Sequence, residues 1–178
     1  ENGERYQYFV EIQRQESKLL AFAALINGST KELVLYEETQ GNYDPNDPNS
    51  MRAGKIFLRF NPINNSWIFG VKNKEHKGFN FKVDMLGLNG APLPKQQKLR
   101  ADLDFLMMQT SHLNGHLQTG ENNKEQFVTA PKAWFRQIWA IKSQTDTHPL
   151  LGVICQFNDG SGFYSMNMKE PDALRASV

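Results

Sequence analysis

His112-Leu-Asn-Gly-His116 carries the only two of the chain's four histidines that lie close together. On a helix that spacing would suit a metal, because both imidazoles would point to one side. Asn114-Gly115 instead predicts a two-residue turn. His112 then pairs with Leu117 and Leu113 with His116, which puts the imidazoles on opposite faces of a hairpin. Asp44, Asn46, Asp47 and Asn49 form an oxygen-rich run resembling a calcium loop, but Pro45, Pro48 and the Asx residues also suit plain turn chemistry. Asp102 and Asp104 share a strand face. Same-face neighbours lie roughly 6.5–7 Å apart, within the separation that paired carboxylates use on a glycosidic bond, although a solvated outer face explains them equally. Cys155 is the sole cysteine, so neither an intrachain disulfide nor a cysteine-based metal site can form. No phosphate-cradling glycine loop and no Gly-x-Ser-x-Gly elbow occurs. The sequence calls for no cofactor and no metal.

These groups must be positioned by strands. Trp134, Arg136, Ile138 and Ala140 alternate with Phe135, Gln137, Trp139 and Ile141, a period of two. Residues 151–157 and 162–168 flank Asn158-Asp159-Gly160-Ser161, a strong hairpin signal. Residues 6–13, 32–38, 55–61, 66–72 and 78–86 also read as strands. Residues 16–26 fit either a helical or an extended stripe, and their neighbours favour extended. Residues 99–111 predict one long strand, 127–129 a short one, 41–54 a loop, and 170–175 a short helix with Pro171 in its first turn. The expected fold class is all-β: an antiparallel, jelly-roll-like β-sandwich with one or two short helices, residues 1–178 forming a single domain.

A net charge of +1, from 20 basic and 19 acidic residues, gives no long-range attraction to nucleic acid or acidic membrane. The longest apolar run, residues 19–26, falls far short of the roughly 20 residues of a membrane span. The first residue is Glu1 rather than Met, which suits a processed or trimmed chain. Asn27-Gly28-Ser29 and Asn64-Asn65-Ser66 fit the glycosylation sequon. With few cysteines and many polar turns, the expected location is secreted or periplasmic, and a cytosolic one stays open.

Four short stretches carry a resemblance. His112-Leu-Asn-Gly-His-Leu117, Phe135-Arg-Gln-Ile-Trp-Ala140, Pro149-Leu-Leu-Gly152 and Asp159-Gly160 together resemble part of the alginate-lyase-type polysaccharide lyases with a concanavalin-like jelly roll. The likeness covers roughly residues 95–168. In that family a central strand carries Gln-Ile-His and an earlier strand Arg-x-Glu-Leu-Arg. Gln137 and Ile138 match the first motif, and Arg100 the last Arg of the second. Trp139 stands where the family has its His, and Lys98 where it has Glu. An indole cannot move the proton that β-elimination requires, so the resemblance implies a chain that binds a sugar without cleaving it.

The expected function is therefore a non-catalytic binding module for a glycan or a protein. Its ligand-binding residues are Arg100, Gln137, Trp139 and Tyr164. Arg offers a fork matched to carboxylates, and aromatic faces stack on sugar rings. One alternative is a polysaccharide lyase acting on uronic-acid polymers, with Tyr164 as acid and base. Another is a structural subunit that pairs through sheet edges. If Trp139 and Phe135 are core residues, the binding face lies elsewhere.

Overall fold

The computed structural model describes residues 3–85, 97–100, 103–120, 124–140, 150–157, 159, 161–168 and 174–177. The side chains of 97–100, 103, 105, 139–140, 150–152, 156, 166–168 and 174–177 are not among those described. All regular structure among these residues is strand. The order is β1 (Tyr6–Gln15), β2 (Lys18–Asn27), β3 (Leu33–Asn42), β4 (Ser50–Ala53), β5 (Ile56–Asn61), β6 (Ser66–Lys72), β7 (Lys77–Asp84) and β8 (Gln97–Arg100). Then follow β9 (Leu103–Gln109), β10 (Leu113–Thr119), β11 (Gln126–Ala130), β12 (Trp134–Ala140), β13 (Leu150–Gln156), β14 (Gly162–Met168) and β15 (Leu174–Ser177). The fold class is the expected one, an all-β antiparallel sandwich. Among the described residues no helix is long and apolar enough to cross a membrane.

The chain divides into two compact units. Residues 1–93 and 108–135 form the first, and residues 94–107 and 136–178 the second. In the first unit a meander β1-β2-β3 faces a six-stranded sheet ordered β11-β10-β7-β6-β5-β4. Alternation explains why the two sheets stick. Leu19, Ala21, Ala23 and Leu25 of β2 are all at most 3% exposed, and Leu20 between them is 39% exposed. The six-stranded sheet answers with Ile56, Phe69, Val71, Phe79, Phe81, Val83, Leu113 and Leu117 in the same core. Tyr8 of β1 inserts its ring among Phe69, Phe79 and Phe81, at centroid distances of 5.5, 5.9 and 5.2 Å. Small alanines on β2 make room for these rings. Burial pushes the Tyr8 phenol well above tyrosine's ordinary range.

The buried polar residues Ser66 and Thr110 of this unit are paired, Ser66 through its hydroxyl to Asn64 Oδ1 at 2.6 Å. Thr110 is 1% exposed. Its Oγ1 accepts from the Ala133 amide at 3.0 Å and lies 3.2 Å from the Ala133 carbonyl, which also accepts the Thr110 amide at 2.7 Å. This staple fixes the entry into β12. Two residues on, Phe135 stacks on Trp67 at 5.9 Å.

The second unit holds β13-β14-β15, a sheet in its own right. Phe157 and Ser161 close the β13–β14 hairpin through a 2.9 Å backbone bond. Asp159 Oδ1 accepts from the Ser161 amide and hydroxyl at 2.9 and 2.6 Å, the expected turn chemistry. Strands β8, β9 and β12 make a further sheet ordered β12-β9-β8.

Four local expectations change. The loop expected over 41–54 shrinks to 43–49, because β3 runs to Asn42 and β4 begins at Ser50. Asp44 Oδ1 accepts from the Asn46 amide and side chain at 2.9 and 3.1 Å, so the Asx–Pro turn is tight and leaves its flanks free to pair. The long strand expected over 99–111 is two. Arg100 faces Leu103 after a register shift, so the chain doubles back. Leu174 and Arg175 lie in β15, not a helix, and pair with Asn167 and Met166. The ladder of a neighbouring strand overrides a weak helical signal. The fourth change bears on the site.

Candidate binding groove

Asn114-Gly115 is not a turn. Both residues lie inside β10, which pairs with β7 on one side and β11 on the other. A Cβ built on Gly115 would run into the Asn80 carbonyl oxygen. The glycine therefore serves close strand approach, not reversal. His112, Asn114 and His116 are then spaced by two and share one face, where the hairpin reading separated the imidazoles. His112 Nε2 lies 2.9 Å from Thr129 Oγ1, and His116 Nδ1 lies 3.9 Å from a Glu125 carboxylate oxygen.

That face is the outer one of the six-stranded sheet. Register assembles a continuous row across all six strands: Arg52, Phe57, Gly70, Asn80, His116 and Phe127. The next row is Ser50, Arg59, Ile68, Lys82, Asn114 and Thr129. On the other side Lys72, Gly78 and Gln118 align. The residues between these rows point inward and form the core.

Two glycines make the face concave. A Cβ on Gly70 would strike the Phe79 carbonyl oxygen, and one on Gly78 the Val71 carbonyl oxygen. No other residue fits at either place, and at Gly78 backbone forms a floor. A hollow of about 430 Å³ opens above it, walled by Arg52, Phe57, Lys72, Asn80, His116 and Gln118. Arg52, Lys72, Asn80 and His116 are exposed. The Arg52 guanidinium lies 5.5 Å from the centre of the Phe57 ring, and His116 meets the Phe127 ring edge-on at 5.7 Å. Lys55, also on the rim, reaches Glu37 at 3.9 Å. Three fixed cations thus border the hollow, against Glu125 as the one acidic lining group among the described residues. Among the described residues no group of His, Cys, Asp and Glu is arranged to hold a metal ion.

The residues expected from sequence to bind ligand all fall in the second unit. Gln137 is exposed on β12. Arg100 lies on β8 and Trp139 on β12, strands of one sheet, with side chains outside the described residues. Tyr164 lies on β14, opposite Ile154, and is 6% exposed. Gln137 and Trp139 share a strand face by their spacing. Of the carboxylate pair, Asp104 is half-buried and Asp102 lies outside the described residues; Cys155 is half-buried.

Comparison with known proteins adds the fold. The structure is similar to kievitone hydratase from Nectria haematococca, with a TM-score of 0.59 and 12% identity, over 98% of this chain and 60% of that one. At that identity the likeness speaks for the architecture alone. The chain thus matches about three-fifths of that protein's length. No protein-family model matches the sequence, and no curated protein does.

Proposed function

We propose that this chain is a secreted or periplasmic, non-catalytic β-sandwich module that binds a glycan. One observation carries the reading. The outer face of the six-stranded sheet presents a preformed, backbone-floored hollow ringed by amide, imidazole, cationic and aromatic groups. Sugars are held by that mixture: amides and cations take hydroxyl and acidic groups, and ring faces take the apolar side of a pyranose. A glycan array carrying neutral and acidic oligosaccharides tests it. Reproducible capture of one glycan class, confirmed by calorimetric titration, is expected. Uniform failure to bind would end the reading.

A second reading, a polysaccharide lyase, is favoured by the exposed His116 on the wall of the hollow, with a Glu125 carboxylate oxygen 3.9 Å from its Nδ1, since an imidazole can serve as a base. Incubation with polyuronates, followed by the ultraviolet absorbance of unsaturated uronate ends, separates the two. The binding-module reading expects none to appear.

A further inference from the structure

We infer that the Gly78-floored hollow takes an anionic saccharide, whose acidic groups sit between Arg52 and Lys72 while its rings lie over Gly78 and along the row that runs through Gly70. This rests on the glycan-binding reading and names the ligand's charge and place.

The charge follows from the rim. The whole chain is close to neutral, at +1, yet Arg52, Lys55 and Lys72 converge on one hollow where, among the described residues, Glu125 is the one acidic lining group. Glu125 stands on the His116 side of the hollow, 3.9 Å from that imidazole. Lys55 has Glu37 within 3.9 Å, which leaves Arg52 and Lys72 as the outward cations. Arg52 is set against the Phe57 ring. A guanidinium held over a ring keeps its fork of donors directed outward, ready for a two-oxygen acid group.

The shape argues for a saccharide over a small ion. Strands lie about 4.8 Å apart, so the row from Arg52 to Phe127 runs about 24 Å across six strands. That is a track for several linked rings. Gly70 in its middle and Gly78 in the row alongside have no side chain to obstruct a ring, and Asn80 and Gln118 stand next to them as amide donors and acceptors. Phe57, beside Arg52, and Phe127, at the far end, add ring faces to the row.

The test titrates the full chain with a short oligogalacturonate and with the oligogalactose of the same length, by calorimetry, at low and high salt. The acidic oligosaccharide is expected to bind about tenfold or more tightly than the neutral one, and to weaken as salt rises. Arg52→Ala with Lys72→Ala should cost about tenfold or more in that affinity. Both residues are exposed, so the melting temperature should stay put. Lys18→Ala, an exposed cation on the other sheet, should change nothing. Equal binding of both sugars, indifferent to the cation variants, would overturn the charge assignment and leave the glycan module standing. Preference for the acid that survives the double variant but is lost in Gln137→Ala would move the site to β12 and overturn the placement. Absence of binding to either sugar, with an empty array, would remove the glycan reading itself.

Discussion

The two faces of the six-stranded sheet are built from the same strands, one residue out of step, and they could hardly differ more. The inner face stacks Phe79 on Phe81 at 4.8 Å and closes Tyr8 over them. The outer face gives up side-chain volume at Gly78, beside Asn80 and His116, and a hollow lies there. Inner residues are chosen to fill space, and the outer centre is kept empty. Stability should therefore reside on one face and recognition on the other, and mutations should separate them.

The largest expected effect is on the inner face. Phe81→Ala should cost about 3–5 kcal/mol, the usual result of deleting a buried aromatic, while its outward neighbour Asn80→Ala stays within about 0.5 kcal/mol. Denaturant titration of the two variants checks this. Equal costs would erase the distinction between the faces.

Next comes Thr110→Val. It keeps the shape but leaves the Ala133 amide without the hydroxyl that accepts it at 3.0 Å. A loss of about 1–3 kcal/mol is expected. No change in the denaturation midpoint would mean that the staple is incidental.

A smaller effect concerns pH. The Tyr8 phenol has its pKa raised by burial above the ordinary value of 10.0. A group with a raised folded-state pKa contributes fully below its unfolded value and loses that contribution as pH climbs past it. Stability should therefore hold up to about pH 10 and fall above it, and Tyr8→Phe should flatten the fall. An unchanged alkaline slope in that variant would place the responsible group elsewhere.

Much of this was open to reading in the sequence, and the failures have a common cause. Period two located β6 at 66–72 with its observed bounds, because Phe69 and Val71 alternate with Ile68 and Gly70. The Asp159 hairpin was legible because its chemistry is local, an aspartate bonding two residues on. The strand β4 was hidden by the Asn/Asp/Pro run before it. Asn114-Gly115 carries a turn signature, yet Gly115 is needed where β7 crowds β10. Glycine meets two different demands, positive φ and close approach, and residue type alone does not separate them. The groove was missed for a related reason. Arg52, Phe57, Gly70, Asn80, His116 and Phe127 are scattered over 76 positions and become neighbours only through register. The available hint was Gly70 and Gly78, glycines inside otherwise well-patterned strands.

The most direct test of a divided sheet is amide chemical-shift mapping during titration with an oligosaccharide that the array selects. The account predicts that the shifted amides cluster at Arg52, Phe57, Gly70, Asn80 and His116 along the outer row. Shifts centred on Gln137 and β12, or on the β1-β2-β3 meander, with that row silent, would contradict it.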